Sequence, residues 1–190
     1  LGTASDPVYF TSYRDDVYGG DTNGDGASTG SRGDWRGIRF SDTSDDSASV
    51  IDHAVIRYGG ATYPGYYGAV TLDDASPRVQ NTQIRESDYC ALAADLHSFP
   101  TLSGNVLVNN DANGLCLLGG TQDVNATWDV TDTSYYLRDT VTVAVGKTLT
   151  VDPDVVVKFA YGESLIVNGA LRVLGTASDP VYFTSYRDDV

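Results

Sequence analysis

Methionine is missing from this chain, and lysine, histidine and cysteine occur twice each. These scarcities narrow the class. With 12 Lys+Arg, of which only Lys147 and Lys158 are lysine, against 26 Asp+Glu, the net charge is -14, so the surface repels nucleic acid and anionic lipid and attracts cations. No apolar run approaches the roughly 18 to 20 residues of a membrane-spanning helix, so no direct membrane insertion is expected of this segment, and no charged-then-apolar leader stands at Leu1. Helical periodicity is almost absent. At 41% hydrophobic with 20 glycines, the chain still buries a sizeable core and is not a disordered polar tract.

What is present is a duplication. Residues 1–17, LGTASDPVYFTSYRDDV, recur letter for letter as residues 174–190. Selection on a fold alone keeps the apolar pattern without keeping every polar letter, so an exact copy marks a tandem repeat of 173 residues. The missing methionine, initiator included, fits a segment of a longer array in which Val17 of one repeat corresponds to Val190 of the next.

Shorter repeats lie inside the long one. Alternating segments rich in Val, Ile, Tyr and Thr are bounded by Gly, Asp, Asn and Pro, which is strand and turn chemistry. Superposed, Val70, Leu92 and Leu115 fall at spacings of 22 and 23, and Leu72, Ala94 and Leu117 do the same. Val79 aligns with Leu102, Ile84 with Leu107 and Pro77 with Pro100, while Ile51 and Ile56 join the Val79 and Ile84 columns once the insertion GGATYPGYYG is allowed. In the second half the pitch reads shorter, placing Leu149 over Leu165 and Val151 over Val167, sixteen residues apart. Val8 and Phe10, with their duplicates Val181 and Phe183, lead into an acidic loop, after which Ile38 and Phe40 resume the inward alternation. The fold class predicted is all-β: residues 1–190 as one continuous parallel β-solenoid, with strands stacked about 4.8 Å apart and roughly eight coils per period, advancing about 40 Å.

The succession VVVKF, LIVNGALRVLGTASDPVYFTS, GDTNGDG, GDWRGIRF, HAVIRYGG and SGNVLVNNDANGL resembles the right-handed parallel β-helix repeats, pectin-lyase-like in fold, of large secreted and surface-anchored microbial proteins. The resemblance implies an extracellular or cell-surface repeat protein, partnered by copies of itself through end-to-end stacking. It names no reaction, because this fold carries lyases, hydrolases, adhesins and inert stalks alike.

The strongest chemical signal is the acidic loop. Asp21, Asn23, Asp25 and Gly26 match the D-x-N-x-D-G opening of calcium loops, in which alternating oxygens converge and the glycine permits a sharp turn. Arg32 stands where an EF-hand places its bidentate Glu, and no flanking helices are evident, so an EF-hand is excluded. Asp15, Asp16 or Asp34 and the Ala27 carbonyl are candidates to complete a calcium site. The alternative is a glycine-rich turn whose acids cap their own backbone.

Five further features bear on function. Strand parity puts Cys90 on the inward face with Leu92 and Ala94 and Cys116 outward between Leu115 and Leu117, which favours two free thiols over a bond, with Cys116 available for pairing between molecules. His53 falls in the Asn81 column and His97 in a turn; with no second His, Cys pair or Ser nucleophile in register, neither makes a metal site or triad. Asp73, Asp74 and Asp95 share a turn one coil apart, an arrangement suited to carbohydrate cleavage but more commonly to turn capping; no catalytic residue is assigned. Tyr58, Tyr63, Tyr66 and Tyr67 gather on the insertion, where they either contact glycans or surface proteins or cover a small core of their own. Asn125 lies in an N-glycosylation sequon. Sequence thus favours a non-enzymatic structural repeat stabilised by calcium, with a glycan-binding module or a polysaccharide lyase or hydrolase as the alternatives.

Overall fold

In a computed structural model, residues 1–61 and 63–188 are described; Val190, matched above with Val17, lies outside them. Every regular element among them is a strand. The opening turn consists of β1 (Val8–Phe10) and β2 (Ile38–Phe40). Inner turns follow as β3 (Val50–Asp52), β4 (Ala54–Arg57) and β5 (Gly68–Leu72), then β6 (Arg78–Gln80), β7 (Gln83–Arg85) and β8 (Cys90–Ala94). The third is β9 (Thr101–Ser103), β10 (Val106–Val108) and β11 (Ala112–Leu117), and the fourth β12 (Gly120–Gln122), β13 (Ala126–Trp128) and β14 (Tyr135–Leu137). The fifth is β15 (Val141–Val143), β16 (Thr148–Val151) and β17 (Val156–Phe159), and a closing turn is formed by β18 (Leu165–Val167), β19 (Ala170–Val173) and β20 (Tyr182–Ser185).

All ladders between these strands are parallel, and one sheet runs the full height in the order β2-β5-β8-β11-β14-β17-β20. The fold is therefore a parallel β-solenoid. Its main column stacks Ile38, Val70, Leu92, Leu115, Tyr135, Val157 and Phe183, and from Val70 to Val157 every member is buried. Each such side chain contributes about 1.5–3 kcal/mol. The Ile51–Val79–Leu102 and Ile56–Ile84–Leu107 columns form as the spacing predicts.

Two expectations are corrected. The long sheet holds seven strands, not eight, because the acidic loop and the tyrosine insertion consume chain without adding a turn. The sixteen-residue pitch also fails: Leu149 stacks on Leu171 and Val151 on Val173, whereas Leu165 and Val167 stack on Val141 and Val143. KTLTV and ESLIV look alike but occupy different faces, since every face demands the same alternation and likeness alone cannot distinguish them.

Corners are made by left-handed residues repeated from turn to turn. His53, Asn81 and Gly104 have φ of 51°, 49° and 66°, and Tyr58, Glu86 and Asn109 have 63°, 53° and 56°. Asn and Gly tolerate this conformation, while Tyr58 and Glu86 adopt it at a steric cost that the surrounding stack must offset. Asparagine side chains then replace missing ladder bonds. Asn105 and Asn110 accept from the Thr82 and Ser87 N–H groups at 3.1 and 3.0 Å and donate to the Val79 and Ile84 carbonyls, both at 2.8 Å.

The other two faces are interrupted: β3-β6-β9 and β1-β4-β7-β10 are not laddered to β12-β15-β18 and β13-β16-β19. At the break the Asp132 carboxylate accepts from the Gly104 and Asn105 N–H groups at 2.7 and 3.0 Å, so these backbone donors stay satisfied. The buried rings of Trp128 and Tyr135 stack at 5.2 Å and fill the core there.

Cys90 and Cys116 form a disulfide, against the parity argument. Cys116 does point outward. Cys90 does too, because alternation slips by one residue in β8: Ala91 and Leu92 both belong to the main core, whereas Cys90 and Ala93 join Cys116 in a small outer cluster. An irregularity in β11 between Ala112 and Leu115 accommodates the slip and brings the two sulfurs together.

Candidate functional site

The loop of residues 11–37 leaves the solenoid after β1 and returns at β2, and its acids separate into two groups. Asp16, Asp21 and Asp25 each present a carboxylate oxygen within 4.8 Å of the others. Asp21 also organises the turn: its Oδ1 accepts from the Gly24 and Asp25 N–H groups at 2.7 and 3.2 Å, and its Oδ2 from Gly26 at 3.1 Å. Gly24 and Gly26 take φ of 70° and 84°, a left-handed geometry that glycine adopts without steric cost. Asn23 donates Nδ2 to Asp25 Oδ2 at 2.8 Å, so its amide ties the loop from within. Asp16 Oδ2 accepts from the Ser28 N–H at 2.6 Å.

Asp15 and Asp34 stand apart from this cluster. Asp34 accepts from Ser12 Oγ at 2.7 Å and from the Ser31 N–H at 2.9 Å. Asp15 is buried and accepts from Thr11 Oγ1 at 2.5 Å. Ala27 precedes Ser28, whose N–H donates to the Asp16 carboxylate. Of the proposed ligands, the structure therefore assembles Asp16, Asp21 and Asp25, with Asn23 bonded to the last.

Arg57, which sequence reasoning passed over, anchors the loop. Its Nε lies 3.5 Å from Asp15 Oδ2 and its Nη2 donates to Glu86 Oε2 at 3.0 Å, with Arg57 and Asp15 buried and Glu86 partly exposed. The guanidinium lies over the Tyr58 ring at 4.4 Å, and the Arg57 carbonyl accepts from Trp35 Nε1 at 2.8 Å. Its one sequence clue is weak: Arg57 and Arg85 recur in register.

The four tyrosines do not gather. Tyr58 is buried beneath the loop, its hydroxyl 3.1 Å from Thr29 Oγ1, and a Cβ at Gly30 would meet its ring at 2.2 Å. It is part of the loop's seat, not of a ligand surface. Tyr63 and Tyr66 meet edge to face at 6.3 Å, and the Arg36 guanidinium lies 3.5 Å from the Tyr63 centroid. Tyr67 is exposed beside them in the chain.

Asp73, Asp74 and Asp95 are occupied with turns and pairs. Asp95 accepts from the Asp74 and His97 N–H groups at 3.0 and 3.1 Å and from Ser98 Oγ at 2.7 Å, while Asp73 pairs with Arg39. His53 donates its backbone N–H to the Gln80 carbonyl of the next turn at 3.3 Å. Its ring stays in its own turn, Nδ1 lying 2.7 Å from Asp52 Oδ1 without the angle of a hydrogen bond. Asn125 is exposed, with Oδ1 accepting from the Thr148 N–H at 2.9 Å.

His97 pairs with Asp123, Nε2 to Oδ1 at 2.7 Å, and that hydrogen bond raises its pKa despite partial burial. A raised folded-state pKa adds stability that is complete below the ordinary value of about 6.5 and disappears as pH climbs through the folded value. Both side chains are well exposed, so the effect is under about 1 kcal/mol. Denaturation midpoints of His97→Gln and the parent should converge at alkaline pH and differ at acidic pH.

Asp88 and Asp111 form a second carboxylate pair, legible in hindsight because they recur 23 residues apart. Both accept from the Tyr89 N–H, at 3.0 and 3.4 Å, and Arg32 of the acidic loop pairs with Asp111. Burial and the neighbouring carboxylate raise the Asp88 pKa. Burial opposes ionisation of Asp111 as well, but hydrogen bonds from Asp88 and Arg32 outweigh it and lower the value. The loop is thus fastened at both ends, by Arg57 on Asp15 and by Arg32 on Asp111.

Comparison with family models, with curated proteins and with solved structures finds no match to this chain.

Proposed function

We propose that this chain is a structural repeat of an extracellular fibre, surface-layer or adhesin stalk, built as a β-helix of the right-handed, pectin-lyase-like kind and stabilised by calcium. The observation that carries the reading is the identical segment at the two ends of a parallel stack whose end turns keep apolar side chains uncovered. Phe10 at one end and Val167, Val173 and Phe183 at the other are each about two-fifths exposed. Open solenoid ends are adhesive edges, and a following repeat is the partner that covers them with matching columns. An oxidising compartment agrees with the Cys90–Cys116 bond.

Calcium would enter the acidic loop on Asp16, Asp21 and Asp25. Lacking a terminal bidentate Glu, such a site has the modest affinity of extracellular modules, roughly 0.1–1 mM. It would be filled outside a cell and empty inside, so the fibre stiffens after export. At a hundredfold excess over the dissociation constant, linkage adds about 2.7 kcal/mol per site. Melting curves with calcium and with chelator, for the parent and for Asp21→Ala plus Asp25→Ala, test this. A parent transition indifferent to chelator would reduce the motif to a turn.

One observation favours a second reading, a glycan-binding module. Exposed Tyr63, with Arg36 against it and Tyr66 at its edge, offers an aromatic and cationic surface suited to sugars. A glycan array on the chain and on Tyr63→Ala separates binding from scaffolding, and release of reducing sugars would reveal a lyase or hydrolase.

A further inference from the structure

The two copies of the duplicated segment fold alike locally but dock differently. In both, a short turn precedes the strand, with the Thr3 and Thr176 N–H groups donating to the Asp6 and Asp179 carbonyls at 3.0 Å. After the strand, Thr11 Oγ1 donates to Asp15 Oδ2 at 2.5 Å and Thr184 Oγ1 to Asp188 Oδ2 at 2.6 Å. The Arg14 and Arg187 N–H groups cap on Ser12 and Ser185 Oγ at 3.1 and 3.2 Å. Tertiary pairing then diverges. Tyr9 and Phe10 of β1 pair with Val55 and Ile56 of β4 in the four-stranded sheet. Their duplicates Tyr182 and Phe183 pair with Val156 and Val157 of β17 in the long sheet.

In a joined array one strand cannot occupy both positions, because β17 of the preceding repeat and β4 of its own belong to different sheets. We propose that consecutive repeats are joined on the long sheet. Residues 9–12 of each following repeat dock on β17 of the repeat before it, in the register Tyr9 on Val156, Phe10 on Val157, Thr11 on Lys158 and Ser12 on Phe159. Pairing of β1 with β4 belongs to a first repeat alone. The inference rests on the tandem reading above and adds to it the interface and its register.

Three observations favour the long sheet. It is the one that passes unbroken through the interruption of the other faces. Its end strands are β20 and β2, so a docked copy followed by the next β2 continues the same stack. The β17–β20 ladder also pairs four residues against three for β1–β4, and Lys158 Nζ donates to the Asp188 carbonyl, fastening the turn that leads into the acidic loop.

Two pairs of cysteines distinguish the positions. In the 190-residue chain, Tyr9→Cys with Val55→Cys and Lys158→Cys with Thr184→Cys should both cross-link. In a chain of two periods, with residue 173 of the first joined to residue 1 of the second, Lys158→Cys and Thr184→Cys should again close almost completely. Tyr182→Cys should leave a cysteine at the second period's Val55 unreacted. Peptide mapping under non-reducing conditions reads the result. Closure onto the second period's Val55 instead overturns the proposal. Closure of neither pair overturns it as well, and separated beads in electron micrographs of that protein then place the fault in the array reading instead of in the choice of sheet.

Discussion

Leu92→Asp is expected to abolish cooperative unfolding. Leu92 is completely buried between Val70 and Leu115 in the column that runs the height of the solenoid. A carboxylate there would sit within the apolar core cluster, and desolvating it costs several kcal/mol on top of the lost apolar burial. Total stabilities of ordinary domains are about 5–15 kcal/mol, so one such substitution consumes most of the margin. Leu92→Ala provides the graded control: it removes the same packing without introducing charge and should cost about 2–5 kcal/mol. Urea denaturation followed by circular dichroism checks both. An aspartate variant melting like the parent would mean that residue 92 does not face the core.

Replacing Cys90 and Cys116 together by alanine is expected to lower stability by about 3–4 kcal/mol. The bond closes a loop with a sequence separation of 26, and the chain-entropy relation for that length gives a value in this range. Both residues are buried in an outer cluster with Ala93, Ala112, Leu118 and Tyr136, so alanine keeps the apolar character of the site. The bond also fastens β8 to β11 one turn below the break, where only the long sheet continues. Reducing agent should lower the denaturation midpoint of the parent by as much as the double substitution does, and should leave the double variant unchanged. A parent insensitive to complete reduction would show that the stack does not depend on this staple.

Much of the architecture was legible because stacking imposes like side chains at like positions. The 22- and 23-residue spacing of Val70, Leu92 and Leu115 is the direct trace of one turn placed on another, and His53 was assigned to its corner column for the same reason. Legibility failed where two faces ask for the same chemistry. Leu149 and Leu165 sit in equivalent alternations on different sheets, and no property of the residues distinguishes them.

The acidic loop divided along the same line. Asp21, Asn23, Asp25 and Gly26 form a local turn, and neighbours in sequence are enough to specify it. Asp15 and Asp34 were grouped with them by proximity along the chain, yet the fold draws Asp15 onto Arg57 and Asp34 onto Ser12 and Ser31. Burying Arg57 requires a carboxylate partner more strongly than an exposed loop does, and that demand comes from a strand more than forty residues away.

The duplicated segment isolates what each level determines. Sequence by itself specifies the turn at Thr3–Asp6 and Thr176–Asp179, the short extended stretch, and the Thr-to-Asp and Arg-to-Ser caps that follow, because these bonds join residues within four positions of one another and form identically in both copies. Both copies also put the phenylalanine on the inward side of the strand, Phe10 in register with buried Ile56 and Phe183 with buried Val157, because side chains alternate along an unbroken extended stretch. Tertiary structure alone decides which edge the strand joins. An unpaired parallel edge accepts any extended strand with the right alternation, so identical residues pair with β4 at one end and β17 at the other according to which edge lies within reach.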